Sequence, residues 1–133
     1  MTQDNAGTIA MATATVLFVE DEALISDLVC DVLTEGGFDV HLEDTADGAL
    51  RYLEEGNDID VLFTDINLPG EIDGAELANR ARRLQPELAV IYASGRISPS
   101  EIGALVPRSV FVNKPYDLGS LCRLIRRLAP TRH

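Results

Sequence analysis

Short apolar runs alternate along the chain with stretches in which apolar residues recur every three or four positions. Val16 to Val19 is an unbroken branched and aromatic run, the pattern of a strand buried on both faces. Leu24, Ile25, Leu28, Val29, Val32 and Leu33 then follow helical spacing until Gly36-Gly37, where a residue with positive φ commonly ends a helix. Phe38 to Leu42 alternates as a second strand, and Thr45 is placed to cap a helix running to about Glu55. Ile59 to Thr64 reads as the third strand, and Asp73 to Glu76 as a capping box opening a helix that ends near Leu84. Leu88 to Ala93 is the fourth strand. Ser98 to Glu101 is a second capping box, with Pro99 at the first helical position of a short helix ending near Leu105. Val110 to Val112 is the fifth strand, and Asp117 caps a last helix carrying Leu118, Leu121, Leu124, Ile125 and Leu128.

Five strands alternating with five helices predict an α/β fold: a doubly wound (βα)5 sandwich of the flavodoxin-like kind. It has a five-stranded parallel sheet with helices on both faces. In such folds the ligand site lies beyond the carboxyl ends of the strands, near the point where strand order reverses. Residues 15–129 are expected to form one domain, with residues 1–14 as a flexible N-terminal tail and 130–133 as a short C-terminal one.

The residues that end the strands carry the chemistry. Glu20 and Asp21 follow the first strand, Asp65 the third, Ser94 the fourth, and Lys114-Pro115 the fifth. Glu43 and Asp44, after the second strand, are expected to lie to the side. Three carboxylates, a hydroxyl and an ammonium would thus share one rim of the sheet. Carboxylates about 4 Å apart repel by roughly 4 kcal/mol per pair at an effective dielectric near 20. One lysine does not neutralise three of them, so either a proton or a cation is taken up. An all-oxygen site suits Mg2+, with the backbone carbonyl of Asn67 as a further ligand. A bound cation would let the acidic pocket accept a phosphoryl group. Asp65 would be the nucleophile, while Lys114 and the Ser94 hydroxyl would hold equatorial oxygens.

Composition narrows the partners. The 133 residues carry a net charge of −11, which argues against nucleic acid as a ligand. Ten of the eleven basic residues are Arg, so Lys114 is the only lysine. No apolar run reaches the roughly 20 residues of a membrane span, and the N-terminus lacks the basic start of a signal peptide. The expectation is therefore a cytoplasmic protein with no membrane association. Cys30 and Cys122 sit in helical patterns as small apolar residues, expected to be reduced.

The four fragments VLFVEDE, FTDINLPG, VIYASG and VFVNKPY occur in order. With them the sequence resembles the receiver domain of two-component response regulators, the chemotaxis-regulator-like module in its single-domain form. The resemblance implies Asp65 as phosphoacceptor, Glu20 and Asp21 as metal ligands, and Ser94 as switch hydroxyl. It implies Lys114 as phosphate contact, before a cis Lys114–Pro115 bond, and Phe111 as switch aromatic. It further implies Mg2+, phosphorylation by a histidine kinase or histidine phosphotransfer protein, and a downstream protein target. The phosphorylated form would shift the face made by the short helix, the fifth strand and the last helix. Such a module is a phosphoacceptor and not an enzyme on other substrates, acting as a monomer or weak dimer. The loop after Asp65 is one residue longer than the commoner pattern, and the segment from Ser94 to Lys114 is about two residues shorter. Asn67 and Arg96 lie near the expected path of attacking water.

Three other readings differ in a testable residue or property. A receiver-like module that binds partners without phosphorylation would be indifferent to loss of Asp65, and a receiver cut from a hybrid histidine kinase would have a longer reading frame. A haloacid-dehalogenase-type phosphatase needs a second Asp two residues after the nucleophile, where this chain has Asn67.

Overall fold

The computed structural model describes residues 13–95 and 105–129. Its described elements are β1 (Thr15–Val19), α1 (Ala23–Glu35), β2 (Asp39–Glu43), α2 (Ala46–Glu54), β3 (Val61–Asp65), α3 (Gly74–Leu84), β4 (Ala89–Ser94), β5 (Ser109–Asn113) and α4 (Leu118–Leu128). The short helix expected over 98–105 and the expectation for Arg96 fall almost wholly outside the described residues.

All strand pairs are parallel, in the order β2-β1-β3-β4-β5. The order reverses between β1 and β3, which places the expected crevice over their adjoining carboxyl ends. The register sets Val19 beside Thr64 and Asp65 beside Ala93. Every residue of β3 is buried: Val61 to Phe63 as apolar residues in a sheet covered on both faces, with the polar Thr64 and Asp65 buried after them. One face packs Leu17, Leu62 and Tyr92 against Leu53 of α2 and Leu77 and Ala81 of α3. The other packs Phe18 and Phe63 against Val29 and Leu33 of α1 and Ile125 of α4. The Phe18 and Phe63 rings stack with centroids 5.0 Å apart. Cys122 is buried and Cys30 half-buried within this second core, both free thiols.

Local chemistry sets the helix ends. The Thr45 hydroxyl accepts from Gly48 N at 2.9 Å, Asp73 from Glu76 N at 2.9 Å, and Asp117 from Ser120 N at 2.7 Å. Each satisfies a backbone donor that the first helical turn leaves over. The expected capping box at Asp73 is half made: the Glu76 carboxylate turns outward to Arg80 Nε at 2.7 Å instead of back to Asp73. At the end of α1 the positive φ belongs to Gly37, at 94°, while Gly36 stays helical at −76°. Among the described residues no helix is long and apolar enough to cross a membrane.

Candidate functional site

The adjoining strands β1 and β3 bring Glu20, Asp21 and Asp65 to the same rim. One oxygen from each lies within 4.8 Å of the others. Glu20 is 2% exposed and Asp65 7%, while Asp21 is open to solvent. Two acids so buried require partners. Lys114, carried past the end of β5, supplies one for both: its Nζ donates to Asp65 Oδ2 at 2.8 Å and to Glu20 Oε1 at 3.3 Å. The other oxygens are met by backbone. Glu22 N donates to Glu20 Oε2 at 3.1 Å, and Asn67 N to Asp65 Oδ1 at 3.2 Å. The Lys114–Pro115 peptide bond is cis. Above these groups opens a cleft of about 370 Å³ lined by Asp21, Glu22, Asp65, Asn67, Gly95 and Lys114.

Burial pushes the Glu20 carboxyl above its ordinary value. The Glu22 amide and the Lys114 charge pull the other way, and the Asp65 charge adds to the rise. For Lys114 burial disfavours the ammonium, but the hydrogen bond and charge of Asp65, with the charge of Glu20, outweigh it and hold the pKa above the usual lysine value. Three carboxylates still face one ammonium. Among the described residues that imbalance, with only hard oxygen donors present, fits a small divalent ion of the Mg2+ kind better than a softer metal.

Ser94 ends β4 beside Asn113 in register, and its carbonyl accepts from Lys114 N at 3.0 Å. It is buried, and the next residue, Gly95, lines the cleft. Phe111 lies half-buried on the face that also holds Tyr92 and Val106, and is paired in register with Tyr92. Tyr92 is fully buried, and its hydroxyl accepts from Val106 N at 3.1 Å, tying β4 to the segment entering β5. Glu43 stays outside the cluster: its carboxylate meets His41 Nε2 at 2.6 Å, and only its carbonyl touches the site, through Glu20 N at 3.1 Å.

Reading the sequence missed Tyr116. Its ring packs edge-on against Phe63, with centroids 5.4 Å apart, and its buried hydroxyl has no hydrogen-bond partner among the described residues. Burial above all, then the charges of Glu20 and Asp65, push the phenol above the ordinary tyrosine range. The one available signal was its place directly after Lys114-Pro115.

Comparison with known proteins gives a consistent picture. A family model described as the response regulator receiver domain matches residues 16–126. The chain is 32% identical over 119 residues to the nitrogen assimilation regulatory protein NtrX of Azorhizobium caulinodans, covering 87% of this chain and 26% of that protein. Over 118 residues it is 30% identical to the response regulator receiver protein CpdR of Brucella abortus, covering 85% of this chain and 94% of that protein. The crystal structure of a response regulator receiver protein from Sinorhizobium medicae superposes with a TM-score of 0.82 at 29% identity. That superposition covers 87% of this chain and 94% of the other. The chain thus spans about a quarter of the length of the nitrogen regulators it matches.

Proposed function

The chain belongs to the response regulator receiver domain family of two-component signalling, and on that premise we propose that it accepts a phosphoryl group on Asp65. The observation that carries this reading is that Asp21, Asp65 and Lys114 line one open cleft, with the buried Glu20 bonded to Lys114 and within reach of both acids. An Asp65 carboxylate oxygen attacks phosphorus in line with the leaving group. The new O–P bond forms as the P–N bond of a phosphohistidine breaks, and the departing imidazole keeps the electron pair and takes up a proton. Lys114 and the Ser94 hydroxyl then hold two of the equatorial oxygens. The set Glu20, Asp21, Asp65 and the Asn67 carbonyl would hold Mg2+, which supplies charge neutralisation between the incoming phosphate and the acidic rim.

The donor is a histidine kinase or histidine phosphotransfer protein, and it docks beside α1. Supporting this, Leu24 is 88% exposed and Leu28 56%. With Ile25, Pro115, Tyr116 and Leu118 they border an apolar groove of about 510 Å³ that reaches Lys114. An exposed apolar surface next to a reactive group marks a partner contact. The signal passes to a downstream protein through Ser94 and Phe111. In this proposal the receiver acts in stand-alone form; receivers occur among its relatives both as most of a chain, as in CpdR, and as about a quarter of one, as in NtrX.

Brief incubation with acetyl phosphate and Mg2+, followed by intact mass measurement, tests the assignment. One phosphoryl adduct is expected, absent in Asp65→Asn and removed by hydroxylamine. An adduct that persists in Asp65→Asn, or none at all with either acetyl phosphate or beryllofluoride, would refute it.

A further inference from the structure

The loop leaving β3 travels outward through Asn67 to Asp73, turning at Gly70 with φ 112°, and returns to the strand at Gly74. Gly74 is the first residue of α3, directly after its cap Asp73. A glycine in a helix is less favourable than alanine, and this one does not have the positive φ that would demand it. What it lacks is a side chain. A methyl group on Gly74 would overlap the carbonyl oxygen of Asp65 and lie 2.9 Å from both the Asp65 carbonyl carbon and the Ile66 Cα. Those atoms are backbone and cannot swing aside. Gly48, at the equivalent turn of α2, shows the contrast: the nearest atom to a methyl there is the Glu43 carboxylate oxygen, at 2.5 Å, the far end of a flexible side chain.

The Asp65 peptide is held on its other sides as well. The Thr64 hydroxyl donates to the Asp65 carbonyl at 2.9 Å, Ile66 N to the Ala93 carbonyl at 3.0 Å, and Gly74 N to the Ile66 carbonyl at 2.9 Å. From that fixed base the carboxylate meets Lys114 at 2.8 Å and the Asn67 amide at 3.2 Å. We propose that Gly74 is a positioning residue for Asp65: its bare α-carbon is the stop against which the Asp65 backbone rests, so the start of α3 sets how far the carboxylate reaches into the cleft. The proposal rests on Asp65 being the phosphoacceptor. Any larger residue at 74 drives the Asp65 carbonyl away and takes the carboxylate off the geometry set by Lys114.

The test compares Gly74→Ala, Asp73→Ala and Gly48→Ala with the wild type. It reads the initial rate of phosphorylation by acetyl phosphate at saturating Mg2+ and the 13C carboxyl resonance of Asp65 in metal-free protein. A displacement near 1 Å at a reacting group costs up to about a hundredfold in rate, so Gly74→Ala is expected to be slower by roughly tenfold or more. Its Asp65 resonance should move, while Gly48→Ala matches the wild type in both. A Gly74→Ala protein that melts lower but keeps its rate within about twofold, with an unmoved Asp65 resonance, would show a packing role only and overturn the proposal. Should Gly74→Ala not fold, Asp73→Ala loosens the same contact without adding bulk. An unchanged Asp65 resonance there overturns the proposal, and a shifted one supports it. If the wild type takes up no phosphate, the phosphoacceptor reading fails by itself, and the resonance alone decides the role of Gly74.

Discussion

Replacing Lys114 with Met keeps a long unbranched side chain and removes the one cation that, among the described residues, faces Glu20 and Asp65. At 2.8 and 3.3 Å the two attractions are worth about 6 and 5 kcal/mol at an effective dielectric near 20, before the cost of desolvating the ammonium. Breaking a buried pair by deleting one member typically costs about 3–5 kcal/mol. Lys114 is partly open to solvent, so the low end applies, and metal-free Lys114→Met should lose about 3 kcal/mol at pH 8. For a chain of this size that lowers Tm by roughly 10 °C. The sign of the pH dependence follows from the charges. Glu20 already has a folded pKa above 4.5, so its protonation favours the folded state at low pH. That contribution is complete below 4.5 and lost as pH rises through the folded value. Without Lys114 the folded pKa of Glu20 rises further, because a charge that favours its ionised form is gone, so the gap between variant and wild type should shrink from pH 8 to pH 5. In the wild type Lys114 stays charged across this window, because its folded pKa lies above 10.5 and its stabilisation is lost only as pH rises through that value. Thermal melts in EDTA at pH 5 and pH 8 measure both gaps. Equal destabilisation at the two pH values would show that Lys114 does not hold the acidic rim together.

Mg2+ at about a hundred times its Kd should stabilise the wild type by about 2.7 kcal/mol, reversibly with EDTA. Asp21→Ala should abolish that gain with little change in metal-free stability, since Asp21 is exposed; an undiminished gain would remove Asp21 from the metal site. Tyr116→Phe deletes a buried hydroxyl with no partner among the described residues, so the melt should be unchanged or raised by up to about 1 kcal/mol. A loss of that size would mean that the hydroxyl is bonded. Tyr92→Phe does the opposite, stranding the buried Val106 amide at a cost of about 1–3 kcal/mol, with faster hydrogen exchange at Val106 as the local readout.

The inner strands β1, β3 and β4 were legible from their runs of apolar residues, because burial on two faces leaves little other choice of side chain, while the edge strand β2 showed as an alternation and β5 as the short run Val110 to Val112. The helix starts were legible at Thr45, Asp73 and Asp117, because a cap acts within three residues of itself. The acidic pair, the aspartate and the lone lysine were likewise visible as polar residues ending apolar runs. Which of them meet was decided by the strand order, which sets β1 beside β3 and lets Lys114 reach an acid 94 positions away. Periodicity reports how a residue sits on its own element and carries no distance between elements. Hence the burial of the Tyr116 hydroxyl, the outward turn of Glu76 and the contact of Gly74 with the Asp65 carbonyl emerged only once the chain was packed. Each depends on how closely two separate segments approach, and tertiary packing alone sets that distance.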